Sequence, residues 1–489
     1  MNDLVTPGRR LTQLAAATPG KPAVIIGRVD GSSASLSYAG LEAAANRLAR
    51  LLRDDHGVDE NSFVVIGLPN SLEHVMAMQA CWKLGACPTP IASNMPPAER
   101  AAMIDLARPA VVISDWEDQP GIRSADLTDL DHLDPSPLDI DPIPEPHKAI
   151  ASGGSTGRPK LIVGTEPFAY ESGHPVGWLM DIHTDSVVHA GGPLHHNMTF
   201  LFTAVALYLG ATAVINDRFD ARRCLAMIEE HAITFVMLVP TMMARMLDVD
   251  GKESFDLSSL ERLMHGAAPC PDHVKEGWID LLGPERVWEG WAATERTGAT
   301  LIRGDEWLAH RGSVGRPQGT DIRILDEDGN ELPPGEVGEI FSRTLSQQSN
   351  HRYLGADPVP TVAGGFESVG DLGWLDEDGY LYIADRRVDM VISGGANIFP
   401  AEVENALGSH PGVADVVVIG LPDEDLGRRV HAIVVPADPT SPPGTEALAT
   451  HVQQRLAKYK TPRTWEFVDS LPRNEVGKLR RSALVAERS

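Results

Sequence analysis

Short apolar runs recur between longer stretches of helical spacing, and this alternation narrows the fold more than any other feature of the chain. Leu41, Ala45, Leu48, Leu51 and Leu52 repeat at helical intervals, with Gly57 close behind as a stop signal. Residues 63–68 follow as a short apolar strand, and Ser71 stands where it can cap a second helix through Val75, Met76 and Met78. Residues 110–114 read as another buried strand, and residues 235–240 as a strand ending at Pro240. Strands alternating with helices in this way imply layered α/β subdomains with a largely parallel sheet.

At 489 residues the chain is too long for one core and suits two or more domains. Residues 133–147 place five prolines among aspartates and read as a surface connector. Near residue 320 the period shortens to two. Residues 321–325, the turn Asp326-Glu327-Asp328-Gly329 and residues 337–340 predict a hairpin. Asp376-Glu377-Asp378-Gly379, between Trp374 and Tyr380, predicts a second one. Further on, a helix is expected from Ala401 after Pro400, with strands at 416–419 and 431–435. A Pro-rich break at 436–444 then leads to a final helix carrying Leu448, Val452 and Leu456. The expected class is α/β: a large N-terminal domain, residues 1–387, of layered α/β subdomains with a β-rich subdomain, and a small α+β C-terminal domain, residues 388–489.

The formal charge of -26 argues against a nucleic-acid partner, whose phosphates most of the surface would repel. A bound polyphosphate would then need local cancellation by backbone N–H groups, basic side chains and metal. Cys81, Cys87, Cys224 and Cys270 are scattered, which suits core packing better than a disulfide framework or a metal site. The opening Met1-Asn2-Asp3-Leu4 has no basic region followed by an apolar run, and no apolar stretch reaches the ~20 residues of a membrane span. A reduced, cytoplasmic protein with no membrane association is expected, with a homodimer as the default assembly.

The segment richest in chemistry is Ser152-Gly153-Gly154-Ser155-Thr156-Gly157-Arg158-Pro159-Lys160. Glycines and hydroxyls in a turn let N–H and O–H groups approach phosphate oxygens, and a lysine adds charge. A Walker loop needs lysine directly after its second glycine, followed by Ser or Thr. Lys160 comes three residues after Gly157 and precedes Leu161, so that reading fails. Four more segments follow in order: Trp291-Ala292-Ala293-Thr294-Glu295; Gly370-Asp371-Leu372-Gly373-Trp374 with Asp385-Arg386; residues 393–404 with Gly394 and Gly395; and residues 472–478 ending in Gly477-Lys478. Together they resemble the adenylate-forming superfamily of acyl-CoA synthetases, firefly luciferase and peptide-synthetase adenylation domains, and the resemblance runs from residue 10 to residue 485.

That resemblance implies an enzyme that joins a carboxylic acid to ATP as an acyl-adenylate. Ser152, Gly153, Gly154, Ser155, Thr156, Gly157 and Lys160 would hold the phosphates. Glu295 would hold Mg²⁺ on them, and Thr294 would hydrogen-bond a phosphate oxygen. Asp371 would accept from the ribose hydroxyls, as a two-oxygen carboxylate does well. Trp291 would face adenine, with Gly266, Ala267 and Ala268 on the other side, and Arg386 would contact ribose or phosphate. Lys478 would neutralise charge building up between the carboxylate and the α-phosphate.

The small domain of the family is mobile and turns between two poses, one presenting the lysine and one opening a path for the acceptor thiol. Gly394 and Gly395 would border that path for coenzyme A. Val388 stands at the hinge position, where the family often has Asp or Lys. The Gly153-Gly154 pair and Lys160-Leu161-Ile162 resemble the aryl-acid and bile-acid ligase branches, as does Gly192-Pro193-Leu194-His195-His196-Asn197. His196 and Asn197 would then gate or read the acyl group, with Phe200, Thr241, Met242 and Met243 either lining its pocket or packing as core. A bulky aromatic, alicyclic or steroid-like acid is expected. Transfer to a carrier protein, an amine or another nucleophile is the alternative, and an inactive nucleotide-binding regulator is a third reading.

Overall fold

The structure, a computed structural model, describes residues 4–153, 159–171, 173–345, 349–394, 396–474 and 477–488, with the backbone alone at 152 and 153. The strands that carry the site are β1 Lys148–Gly153, β2 Pro159–Gly164, β3 Val187–Ala190, β4 Phe235–Leu238, β5 Arg262–Gly266, β6 Val287–Ala292, β7 His351–Leu354, β8 Asp371–Leu375 and β9 Leu381–Arg386. The helices that do so are α1 Asn197–Leu209, α2 Pro240–Leu247, α3 Pro400–Gly408 and α4 Arg481–Arg488.

Strands β3, β4, β5 and β6 lie side by side and parallel, extended beyond β3 by Thr212–Asn216 and Pro22–Gly27. Every residue of β4 is buried, as expected of a parallel strand covered on both faces. The helix signals operate locally as read. Gly57 ends Tyr38–His56 in the left-handed region at φ 65°, and the Ser71 hydroxyl accepts the N–H of His74 at the start of Leu72–Lys83. Residues 134–147 run as an irregular, largely exposed connector.

Beyond β6 the sheet turns antiparallel through Ala299–Arg303, Ser313–Pro317, β9 and β8 to Gly338–Thr344. Gly338–Thr344 pairs with Thr320–Leu325, so the period of two became a hairpin whose Ile324 and Ile340 pack with Leu381. A separate antiparallel sheet, β7-β2-β1, stands beside the parallel core.

The C-terminal body is a three-stranded sheet: Val413–Asp423 antiparallel to Gly427–Pro436, with Thr464–Phe467 parallel to the latter. Its apolar run 416–419 is buried on both faces. Val416 and Val418 cluster with Val403 and Leu448, from α3 and the Thr445–Gln453 helix, whereas Val417 and Ile419 cluster with Leu484 of α4. This corrects one expectation. The helix carrying Leu448 is not the last, because Arg481–Arg488 forms another around Leu484. The proposed division at 387/388 falls just after β9, and Val388 is 61% exposed there. All four cysteines are free, three of them buried. Among the described residues no helix is long and apolar enough to cross a membrane.

Candidate functional site

Ligand crevices of open α/β sheets form at the C-terminal ends of the parallel strands, and the residues singled out above gather there. The loop after β3 leads through His195 and His196 into α1, with Asn70 as its brace. The Asn70 amide donates to the Gly192 carbonyl (3.1 Å) and accepts the Leu194 N–H (2.7 Å). After β4, Thr241 sits in the first turn of α2. After β5 come Ala267, in the left-handed region at φ 69°, and Ala268. Gly266 is needed at this bend, because a Cβ there would overlap the Gly290 carbonyl oxygen of β6. Strand β6 delivers Trp291, followed by Thr294 and Glu295.

Asp371 and Arg386 are cross-strand partners on β8 and β9, and the Arg386 Nε lies 3.2 Å from Asp371 Oδ1. The indole N–H of Trp291 donates to Asp371 Oδ2 at 2.9 Å. Both carboxylate oxygens are therefore oriented, and each keeps a second lone pair for a hydroxyl donor.

Glu295 is buried, and its Oε1 accepts from the Tyr353 hydroxyl (2.6 Å) and from Lys160 Nζ (3.4 Å). Lys160 also lies over the Tyr353 ring, 4.0 Å from its centre. Burial alone would raise this carboxyl, but the tyrosine hydrogen bond and the lysine together hold it below its usual range. Both side-chain donors fall on Oε1, which leaves Oε2 as an ionised hard oxygen for a divalent cation. The described residues contain no group of three or more His, Cys, Asp or Glu side chains that could cage a metal. One carboxylate completed by a ligand's phosphates is the arrangement that suits Mg²⁺.

Tyr353→Phe keeps the ring and removes the hydroxyl. Burial is then less well opposed, and the acid limb of the activity expected from the sequence should move up by on the order of one pH unit, since such a bond is worth about 1.5–3 kcal/mol. A pH–rate profile that coincides with wild type would contradict this role.

Lys478 reaches the same cleft from the C-terminal body. It keeps an open, solvent-facing side, yet protein surrounds it closely enough that burial, then Arg386, lowers its amine, while Asp371 and Glu295 pull the other way. His196 is lowered to about 4 by burial and by Lys478, and is therefore a neutral ring at ordinary pH. The preceding Gly477 has φ 73° and packs so tightly on α2 that a Cβ would overlap the Thr241 side chain. Ion pairs of Arg481 with Asp389 (3.1 Å) and Glu404 (2.8 Å), and of Arg480 with Glu99 (2.9 Å), run along the same stretch.

Not every expected residue joins this group. Gly154, Ser155, Thr156, Gly157 and Gly395 lie outside the described residues; the β1–β2 pairing ends at Gly153↔Pro159, at the neck of that loop. Gly394 is on an exposed hairpin turn of the small body, its N–H bonded to the Leu426 carbonyl. Phe200, 1% exposed and edge-on to Trp82, packs as core, as do Met242 and Met243, so of the apolar group only Thr241 is half-open. Sequence reasoning passed over Tyr353, Asn70 and Lys148. A lysine set directly before the apolar Ala149-Ile150-Ala151 was the one signal for the last.

Comparison with known proteins matches residues 11–347 to the AMP-binding enzyme family model and residues 402–478 to the AMP-binding enzyme C-terminal domain. The chain is 32% identical to the 2-succinylbenzoate–CoA ligase of Bacillus licheniformis over 97% of its own length and 98% of that protein's. It is 33% identical to a fatty acid–[acyl-carrier-protein] ligase of Streptomyces coeruleorubidus, covering 72% and 70% of the two chains. Among solved structures it resembles o-succinylbenzoate coenzyme A synthetase of Bacillus subtilis in complex with ATP and magnesium ion. There the TM-score is 0.83 at 27% identity, covering 97% of this chain and 98% of the other.

Proposed function

Because this chain belongs to the AMP-binding enzyme family, we propose that its cleft condenses a carboxylic acid with ATP, releases pyrophosphate, and passes the acyl group from the resulting acyl-adenylate to coenzyme A. It is an AMP-forming acid–CoA ligase. The observation that carries the assignment of roles is the close seating of Gly477, the residue before Lys478, against Thr241 of α2, which brings the C-terminal body to the end of the sheet where Glu295, Asp371 and Arg386 lie.

An acid and a triphosphate repel each other, so the site must cancel charge while aligning the carboxylate with the α-phosphate. In this reading Asp371, oriented by Trp291 and Arg386, holds the ribose hydroxyls, and Trp291 and the Gly266-Ala267-Ala268 bend flank adenine. Lys160 and the 152–157 loop hold the phosphates. Glu295 would bind Mg²⁺, which neutralises phosphate charge when present. The protonated Lys478 amine stabilises the negative charge that grows as the carboxylate oxygen attacks phosphorus and pyrophosphate leaves. His196, neutral beside Lys478, borders the acyl group without adding charge. Gly394 and Gly395 belong to the thiol-accepting pose of the small body. The acid is aromatic, alicyclic or otherwise bulky, and the assembly is a homodimer.

A panel of carboxylic acids tests this directly. With ATP and Mg²⁺, at least one bulky acid should drive pyrophosphate release and, with coenzyme A added, consume the thiol stoichiometrically. Similarity to a carrier-protein ligase supports the second reading, in which exchange proceeds while coenzyme A is untouched. Tight ATP binding with no release across the panel would point to a non-catalytic role.

A further inference from the structure

Lys148 opens β1 at 3% exposure, and no carboxylate lies within ion-pair distance of it among the described residues. Its Nζ donates to one acceptor, the side-chain Oδ1 of Asn197, at 2.6 Å. Removing an ammonium from water costs several kcal/mol, and a single amide offsets that poorly, so stability is a weak account of this residue.

The geometry has a definite chemical consequence. An ammonium group can only donate, so the oxygen of the Asn197 amide must face Lys148 and its NH₂ must face the other way. Asn197 is the first residue of α1, next to His196, and is half-buried; its Nδ2 has no acceptor among the described residues. Lys148 begins β1 and Gly153 ends it, where the phosphate-holding loop starts, so the lysine and the amide it holds lie at the end of β1 away from that loop. Resting on the function proposed above, we propose that Lys148 is a positioning residue that fixes Asn197 with its N–H pair toward the acyl pocket, so that the acid activated carries a hydrogen-bond-accepting oxygen, a carbonyl or a carboxylate, remote from the reacting carboxylate.

Titration offers an independent check. Burial, then Arg296, lowers Lys148 to about 7. Of the groups facing it, Arg296 is ion-paired with Glu166, His174 is lowered to about 3 and His147 well below its usual value, so Lys148 is the one that changes charge near neutrality. A neutral amine accepts as well as donates, which frees the Asn197 amide to turn.

The experiment measures acid-dependent pyrophosphate release by the full chain on matched acids, 4-acetylbenzoate against 4-isopropylbenzoate and 4-oxocyclohexanecarboxylate against cyclohexanecarboxylate. In wild type the oxygen-bearing member should lead by about ten-fold or more in kcat/KM, because an unpaired pocket donor penalises the hydrocarbon. That lead should shrink between about pH 6 and about pH 8.5 as Lys148 loses its proton. Lys148→Met, which removes the donor, and Lys148→Gln, which no longer dictates the amide's orientation, should both bring the ratio close to unity while the KM for ATP holds. Thermal melts of both variants report folding separately. Equal rates on the paired acids in wild type, or a ratio that survives in Lys148→Met, would overturn the inference and leave the ligase reading intact. Absence of release with every acid would instead bring down the ligase reading itself.

Discussion

Replacing Lys478 with alanine is expected to slow acid-dependent ATP–pyrophosphate exchange by about a hundred- to a thousand-fold, the usual loss when one preorganised stabiliser of a charged transition state is removed. ATP affinity, followed by calorimetry, should change far less. Asp371 stays oriented by Trp291 and Arg386, and Glu295 by Tyr353 and Lys160, none of which depends on the C-terminal body. The lysine also predicts a pH signature. Burial and Arg386 lower its amine, so the protonated form is lost below the usual lysine value and the alkaline limb of exchange should fall correspondingly early. Lys478→Arg, whose guanidinium stays charged, should retain whatever activity it has across that limb. Exchange by Lys478→Ala within a few-fold of wild type would remove this residue from the chemistry.

Much of the architecture was legible because its signals are local. The alternation of buried runs with helical spacing, the Gly57 stop and the Ser71 cap depend on neighbours in sequence, and so does the period of two that became the Thr320–Leu325 and Gly338–Thr344 pair. Of the candidate site, the residues that sit in ordered motifs could be singled out in advance, as with Glu295, Asp371 and Lys478. Tyr353 could not be read in this way. It reaches Glu295 only because β7 pairs with β2, and 58 positions separate the two residues. Lys148 and Asn197 are likewise joined across 49 positions, by one side-chain hydrogen bond between the start of β1 and the start of α1. Helix α4 was missed because Leu484 is its one fully buried residue, too little apolar periodicity to register; the sheet face formed by Val417, Ile419 and Ile433 supplies the partner. Phe200 and Met242 show the converse. Apolar character alone does not separate a pocket wall from a core, and here the core took both.

Gly477→Ala should reduce exchange nearly as far as loss of the lysine, although no reacting group is touched. The residue adopts φ 73°, where a side chain costs about 1–3 kcal/mol, and its new Cβ would overlap Thr241, an overpacking cost of similar size. Both penalties fall on the pose in which Lys478 enters the cleft, so the population of that pose should drop by roughly one to three orders of magnitude. The two causes can be separated. Pairing Gly477→Ala with Thr241→Ala removes the hydroxyl and methyl that the new Cβ meets, so part of the rate should return, while the backbone strain remains. Melting temperature should barely move in either variant, since the affected contact joins two separately packed cores. Wild-type exchange in Gly477→Ala would mean that Lys478 reaches ATP by another approach than along α2.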